Sequence, residues 1–256
     1  MNPVFIGIDP TAGRRPMDFA VLNDELDLLK HGQGNLDAVL ELAHAQASAV
    51  IAVDAPQSPN GGLMRDPERR KSYGLRPESA KWANFKVCEY ELRRRGLKLY
   101  NTPGEIQAAP KWMQLGFKLY EALRKEGYQP YRPGSPAPKQ YLEVHPHATY
   151  ATLLGHLPWR KDTLEGRMQR QLVLFRENVE VPNPMQVLEE ITRHHLLEGQ
   201  LSLPTLYSHD ELDALGSAYT AFVAYRHMER VTCVGDEGEG QIVLPVSAAD
   251  LKERYR

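Results

Sequence analysis

The sequence has few cysteines and no long hydrophobic run. Its two cysteines, Cys88 and Cys233, lie far apart and lack the spacing of a metal-binding pair. Such sparse cysteine is typical of a reduced intracellular protein without disulfides. The apolar stretch at residues 4–8 ends in a charge and is too short for a signal peptide. No later run approaches the ~20 residues that span a bilayer. We therefore expect a cytoplasmic protein with no membrane partner.

The remaining composition is that of an ordinary folded protein. Hydrophobic residues make up 42% and charged residues 25% of the chain, which excludes extended disorder. The net charge of −2 conceals an uneven distribution, because residues 61–140 contain 17 Lys or Arg against 8 Asp or Glu. The sequence thus combines a basic segment with an otherwise acidic chain.

Two short apolar runs predict buried strands. Residues 4–8 are followed by Asp9-Pro10, and residues 49–53 are followed by Asp54-Ala55-Pro56. Between them, residues 18–23 and 26–29 predict a hairpin or meander, and Asn35 can cap a helix to about residue 47. Because a helical crossover joins the two buried runs, the two strands are predicted to be parallel.

The rest of the chain predicts an insertion and then a return to the sheet. Helices are predicted near residues 79–95 and 110–126, a proline-rich loop at 130–138, a strand at 141–145 that Pro146 ends, helices at 164–176, 185–197 and 208–228, and a last strand at 241–245. This order predicts one α/β domain over residues 1–256. Its mixed sheet would be ribonuclease H-like and flanked by helices, with a largely helical, basic insertion at about 57–139. A doubly wound nucleotide-binding fold is the alternative.

The two strand-end aspartates predict a site. The carboxyl ends of neighbouring parallel strands lie about 4.8 Å apart, so Asp9 and Asp54 would face one small volume. Like charges at that separation repel unless a cation neutralises them, and Mg²⁺ prefers carboxylate and water oxygens. The alternative is that each aspartate only caps the turn after its strand.

The last long helix adds further carboxylates. Ser208 and Glu211 match a capping box, which gives Glu211 a structural role. Asp210 and Asp213 are three residues apart and share one side of the helix. Asp210 could instead interact favourably with the positive end of the helix dipole. Asp213 lies further along, where the helix is predicted to begin packing on the core.

The predicted strand at residues 141–145 and the positions just after it contain three more candidates. Glu143 could bind metal or form a salt bridge to a helix, and both interpretations stay open. His145 and His147 could form a metal pair or orient a phosphate or water, but a helix-start or packing role is the simpler interpretation.

The basic insertion suggests a polyanionic partner, with nucleic acid foremost. Its dense patches are interleaved with aromatic residues that could stack on bases or belong to the core. The patches are equally consistent with solvated helix faces. They comprise Arg65, Arg69, Arg70, Lys71 and residues 93–95, with Trp82, Tyr90 and Trp112 between them.

Several short motifs, in order, resemble domain-of-unknown-function family 429 (DUF429), a predicted nuclease family. They are Ile6-Gly7-Ile8-Asp9-Pro10 with Phe19-Ala20-Val21, Val53-Asp54-Ala55-Pro56, Glu143-Val144-His145-Pro146, and residues 210–215. The first and last also resemble motifs of Holliday-junction resolvases of the ribonuclease H-like superfamily. That resemblance implies metal-binding roles for Asp9, Asp54, Asp210 and Asp213. The resolvases have glutamate at the position of Asp54, and Glu143 could partly substitute for it.

Three functions follow as hypotheses. The first is an Mg²⁺- or Mn²⁺-dependent nuclease using Asp9, Asp54, Asp210 and Asp213, with Glu143 as an additional catalytic candidate. The second is a catalytically degenerate module that binds nucleic acid or protein on the same fold. The third is phosphoryl transfer from ATP, which the lack of a P-loop or other glycine-rich phosphate loop disfavours. The pattern does not choose between DNA, RNA and a small phosphoester, nor does it set the oligomeric state.

Overall fold

The computed structural model describes residues 2–11, 15–76, 80–135, 137–186, 197–199 and 203–256. Within these residues, eight strands form one sheet flanked by seven α-helices, which confirms the α/β class. The strands are β1 (Val4–Asp9), β2 (Met17–Leu22), β3 (Leu28–Gly34), β4 (Ala49–Val53), β5 (Gln129–Pro130), β6 (Lys139–Glu143), β7 (Thr232–Asp236) and β8 (Gly240–Leu244). The helices are α1 (Leu36–His44), α2 (Pro67–Ser72), α3 (Val87–Arg94), α4 (Lys111–Lys125), α5 (Pro146–Leu154), α6 (Leu164–Arg176) and α7 (His209–Arg226).

The strand order brings the predicted acidic strand ends together. The sheet runs β3-β2-β1-β4-β6-β8-β7, and the short β5 pairs with β6. Strands β1 to β3 form an antiparallel meander, whereas β1, β4, β6 and β8 are mutually parallel along the sheet. The predicted parallel pairing of the first two buried runs is confirmed. The carboxyl ends of β1, β4 and β6 therefore lie at one edge.

Both faces of the central strands are covered, which explains their unbroken apolar runs. On one face, Phe5 and Val50 pack with Leu212 and Leu215 of α7. On the other, Ile51 and its neighbours pack against α1 and α4. The result is a layer of helices on each side of the sheet.

Helix α7 approaches β1 unusually closely because β1 contains Gly7. A Cβ atom added at Gly7 would lie 1.9 Å from the Ala214 carbonyl oxygen and 2.4 Å from the Ala218 nitrogen. Because Gly7 has no side chain and the facing residues of α7 are small, the backbones of β1 and α7 come into direct contact. This contact sets how near the first turns of α7 come to the end of β1.

Several elements differ from the sequence prediction. Helix α3 begins only at Val87, after a short 3-10 turn at Ala80–Trp82. Pro146 starts α5, because proline fits the first turn of a helix, where its missing N–H costs nothing. Strand β7 was not predicted, nor was helix α2, and β3 extends further than the predicted hairpin. The predicted helix at 185–197 lies mostly outside the described residues.

The insertion shares its core with the sheet. Leu119 and Tyr120 of α4 are fully buried against β4 and β6, and Cys88 of α3 is buried beside Val234 of β7. Tyr90 is buried, with Trp82 packed partly against its cluster. No helix in the described part of the chain is long and apolar enough to cross a membrane.

Candidate functional site

Three carboxylates meet beyond the carboxyl edge of the sheet. Asp9 ends β1, Asp54 directly follows β4, and Asp213 lies in the second turn of α7. Burial raises the pKa of Asp9 well above its usual value, and the charges of Asp54 and Asp213 raise it further. Burial likewise raises the pKa of Asp213, with an added contribution from Asp54. The β1–β4 register sets Asp9 beside Asp54, and the contact of Gly7 with Ala214 brings the neighbouring Asp213 towards the end of β1; we call the region between these three side chains the acidic pocket.

Local contacts fix Asp213 in this position. The predicted capping box is present, since Ser208 Oγ accepts from the Glu211 N–H and the Glu211 carboxylate accepts from the Ser208 N–H. One turn further, the Tyr150 hydroxyl donates to the Leu212 carbonyl at 2.6 Å. Together with the close approach at Gly7, these bonds hold the start of α7 over the sheet edge.

The acidic pocket holds oxygen atoms that lack a donor. Asp9 is 9% exposed, and its carboxylate accepts no hydrogen bond from any residue the structure describes. Asp54 Oδ1 is buried and also has no hydrogen-bond partner among those residues. A buried carboxylate oxygen without a donor, such as Asp54 Oδ1, is costly. The chemistry of the two carboxylates suits a hard divalent cation, so the residues present fit the predicted Mg²⁺ or Mn²⁺.

A lysine that the sequence analysis missed lies in the pocket. Lys161 contacts the Asp213 carboxylate through its ammonium group. Burial alone would lower the pKa of Lys161, but Asp213, aided by Asp9 and Asp54, raises it above the usual value. The ammonium group therefore neutralises part of the charge of the three acids.

The loop that carries Lys161 is held by a buried arginine. Arg170 on α6 is 1% exposed, and its guanidinium donates to the carbonyls of Trp159 at 2.8 Å and Gly166 at 2.9 Å. Its guanidinium also lies over the ring of Tyr150, 5.5 Å from the ring centroid. Because the bond to Trp159 ties the loop to α6, the backbone two residues before Lys161 is held in place.

The pocket is not a closed metal cage. Among the described residues, no three or more His, Cys, Asp or Glu side chains are arranged to hold one ion. Mg²⁺ is commonly held by one or two carboxylates, with water and substrate oxygens as its other ligands. Asp9 and Asp54, whose oxygens lack donors, are the two residues that fit this open arrangement.

Glu143 lies at the same edge with both oxygens engaged. It is fully buried at the end of β6, where one oxygen accepts the Gln57 N–H at 2.9 Å and the other accepts the Tyr100 hydroxyl at 3.3 Å. Burial raises its pKa, while the nearby Lys86 ammonium lowers it and Asp54 raises it again. Glu143 thus adjoins the acidic pocket, and its contacts are those of a structural acid.

Asp210 lies at the rim of the acidic pocket. Its carboxylate is 3.2 Å from His209 and 3.7 Å from Arg15. Its charge still contributes to the raised pKa of Asp9, which places it near the pocket.

Asp18 is a further acid that sequence reasoning missed. It pairs with Asp9 in the β1–β2 register and is almost fully buried. Gln33 Nε2 donates to its carboxylate at 3.1 Å, and burial raises its pKa. The predicted hairpin joins residues 18–23 to 26–29 and does not by itself reveal this position, which follows from the antiparallel pairing of β1 with β2.

The two histidines that follow β6 differ in environment. His145 is the residue before α5 and approaches Asp54, with 3.5 Å between Nδ1 and Oδ1. His147 is the second residue of α5, and burial, with help from the positive charges around it, lowers its pKa to about 4. His147 is therefore neutral at physiological pH, and the two rings have centroids 6.1 Å apart.

Much of the basic patch in the insertion is used within the protein. Arg69 pairs with Asp236 at 3.1 Å, and Arg95 pairs with Glu91. Arg70 is buried and donates to two backbone carbonyls. These contacts stabilise the insertion and leave fewer of its cations for an external polyanion.

The fold and the pocket define an α/β protein with a buried acidic centre at the carboxyl edge of a mixed sheet. The family model described as "Protein of unknown function (DUF429)" matches residues 7–239, and the chain belongs to that family. The matched range includes the three residues of the acidic pocket. Neither the curated proteins nor the solved structures contain a match to this chain.

Proposed function

We propose that the acidic pocket catalyses divalent-metal-dependent hydrolysis of phosphodiester bonds. The observation that carries this proposal is the convergence of Asp9, Asp54 and Asp213 on one volume, with the pKa of Asp9 raised by burial and by its neighbours. Carboxylates in such surroundings favour a divalent cation over a set of three repelling charges. The ribonuclease H-like resemblance of the motifs agrees with this chemistry.

Each residue has a distinct task in the proposed reaction. Asp9 and Asp54 would hold the cation, and Asp54 Oδ1 is a buried oxygen without a hydrogen-bond partner among the described residues. When bound, a divalent ion supplies an activated water and charge compensation for the phosphate. Lys161 is fixed against Asp213, yet its side chain is 46% exposed, so its ammonium can also contact a phosphate oxygen. Asp213 orients that ammonium group.

Nucleic acid is the substrate class that we propose. The cations that support it lie around the pocket itself: Lys161 inside it, Arg15 beside Asp210, and the exposed Lys98 near His147. A polyanion that reaches the three acids would pass these side chains. The insertion contributes less than its composition suggests, because Arg69, Arg70 and Arg95 are engaged internally.

A binding module with no turnover is the second candidate. The ion pair of Lys161 with Asp213 favours it, because a resident ammonium already compensates part of the acidic charge. The lack of a three-ligand cage among the described residues points the same way. This candidate predicts salt-dependent binding of nucleic acid without metal-dependent cleavage.

Cleavage assays with a matched control variant distinguish a nuclease from a binding module without turnover. Wild type, Asp9→Asn and Asp37→Asn would be incubated with single-stranded, duplex and branched DNA and RNA, with Mg²⁺ or Mn²⁺. Asp37 is an exposed acid on α1 and serves as the control. We expect cleavage by wild type and Asp37→Asn, and a loss of roughly 100-fold or more in Asp9→Asn. Binding without cleavage across the panel would support the binding module, and full activity of Asp9→Asn would exclude the proposed mechanism.

A further inference from the structure

His145 and Asp54 face each other without a hydrogen bond. His145 Nδ1 lies 3.5 Å from Asp54 Oδ1. Both atoms are buried, and neither has a hydrogen-bond partner in the described ranges of the chain. Buried polar atoms are almost always satisfied, and leaving two of them unpaired is costly. The pair therefore requires a specific explanation.

The contact of the other ring nitrogen, Nε2, determines whether Nδ1 of neutral His145 carries a hydrogen or a lone pair. Nε2 is 3.0 Å from the Lys98 carbonyl oxygen, which can only accept a hydrogen bond. Nε2 must therefore carry the hydrogen, and in the neutral ring Nδ1 presents its lone pair to the Asp54 carboxylate. Two atoms that both carry lone pairs repel at this separation, and a cation shared by both would make the contact attractive.

The distance favours a metal ion over a shared proton. A separation of 3.5 Å is longer than the usual N–H···O distance of about 2.7–3.2 Å. Two ligand atoms that are each about 2.1 Å from one metal and 3.5 Å apart subtend an angle of roughly 110° at the metal. That angle is close to the tetrahedral value, so the separation of the two atoms is compatible with a shared metal ion.

We propose that His145 Nδ1 and Asp54 Oδ1 are ligands of one divalent transition-metal ion, Mn²⁺ or Zn²⁺, in preference to Mg²⁺. Imidazole nitrogen suits transition metals, whereas Mg²⁺ selects oxygen ligands. The bond from Nε2 to the Lys98 carbonyl is the type of contact that orients a metal-binding histidine. Water and substrate oxygens would supply the remaining ligands, because no three acidic, histidine or cysteine side chains in the described ranges are arranged to hold one ion. The catalytic use of this ion rests on the proposed function, but its binding is measurable without turnover.

A manganese titration followed by electron paramagnetic resonance tests the proposal. Wild type, His145→Gln and His156→Gln would be titrated with Mn²⁺ alone and then challenged with excess Mg²⁺. His156 is exposed and outside the acidic pocket, so it is the matched control. We expect His145→Gln to bind Mn²⁺ roughly 10- to 100-fold more weakly and to lose its preference over Mg²⁺. His156→Gln should match wild type, and an affinity of His145→Gln within twofold of wild type would overturn the proposal.

A diffraction measurement keeps the proposal testable if His145→Gln does not fold. Wild-type crystals soaked in Mn²⁺ should give an anomalous peak within about 2.5 Å of both His145 Nδ1 and Asp54 Oδ1. A peak only near Asp9 and Asp213, or none in the pocket, would overturn it. Mn²⁺ bound through His145 without cleavage of any substrate would refute the proposed function alone. Cleavage with manganese affinity independent of His145 would refute the metal assignment alone.

Discussion

The ammonium group of Lys161 contacts the carboxylate of Asp213 across 52 positions of sequence. The pair lies beside Asp9 and Asp54, so the pocket contains a monovalent cation of its own. A divalent ion that enters must share the three acids with this ammonium or displace it from Asp213. The strength of metal binding is therefore coupled to a residue that is not itself a metal ligand.

Substitution of Lys161 should increase the stabilisation that a metal provides. In Lys161→Gln the acids lose their resident cation, so we expect the metal-free protein to lose roughly 1–3 kcal/mol, less than for a fully buried pair because the lysine is 46% exposed. The rise in Tm on adding Mn²⁺ should be larger than in wild type, because no ammonium competes. Thermal denaturation with and without Mn²⁺ measures both effects.

Lys125→Gln is the control for that measurement. Lys125 pairs with Glu121 at 2.7 Å on the exposed face of α4, where an ion pair contributes at most about 0.5 kcal/mol. Its response to Mn²⁺ should equal that of wild type. An unchanged response in Lys161→Gln as well would mean that the ammonium does not compete with the metal.

Gly7 should be intolerant of any side chain. A Cβ at this position would lie 1.9 Å from the Ala214 carbonyl, which is backbone and cannot rotate away. Gly7→Ala must push α7 off β1 and should cost about 3 kcal/mol or more in the free energy of unfolding. Because α7 carries Asp213, metal affinity should fall in parallel. Chemical denaturation and metal titration are the measurements.

Gly104→Ala provides the comparison for Gly7. An added Cβ at Gly104 has its nearest neighbour at 3.5 Å, which is an ordinary contact. We expect its unfolding free energy to stay within about 0.5 kcal/mol of wild type. Equal tolerance of alanine at both positions would contradict the close packing of α7 on β1.

Part of this site could be predicted from sequence because strand ends are local features. A buried run that stops at an aspartate identifies both the strand and its acid, as at Asp9 and Asp54. The crossover rule then makes the strands parallel and brings the two acids to one edge. The structure places Asp213 beside them, and the capping box at Ser208 correctly marked the start of its helix.

The remaining features depend on tertiary contacts that leave little local signal. Lys161 lies in a polar loop, and its position depends on the buried Arg170 in the following helix. Helix α5 is buried on nearly every side, so it lacks the amphipathic period that marks a surface helix. Strand β7 is half-exposed at the edge of the sheet and shows no clear alternation.

The stability of the protein should depend on pH through Glu89. Burial raises the pKa of Glu89 to about 7, although Thr102 and the Lys86 N–H donate to its carboxylate. A raised folded pKa means that the native state holds the proton longer than the unfolded chain. Stability is therefore full below about pH 4.5 and falls as the pH rises to about 7, by roughly 3 kcal/mol.

Glu89→Gln isolates this contribution. Glutamine cannot ionise, so the fall in unfolding free energy between pH 5 and 8 should be smaller than in wild type. Its absolute stability should be lower at pH 5, because the amide has a single acceptor oxygen and its NH2 group must then face either the Lys86 N–H or the Thr102 donors. Urea denaturation at several pH values measures the slope. Identical slopes in the two proteins would show that Glu89 does not titrate in this range.

Asp9→Asn should stabilise the metal-free protein at neutral pH while weakening metal binding. The pKa of Asp9 is raised by burial, Asp54 and Asp213, so ionising it costs the native state free energy as the pH rises above about 4. Asparagine avoids that cost. In EDTA we expect the free energy of unfolding of the variant to exceed that of wild type by on the order of 1 kcal/mol at pH 7, or about 2–4 °C in Tm, and to match it near pH 4.

Saturating Mn²⁺ should reverse the order of stability at pH 7, because wild type gains binding energy that the variant lacks. Asp37→Asn should follow wild type throughout, and an Asp9→Asn variant less stable than wild type in EDTA at pH 7 would show that the acids do not repel one another.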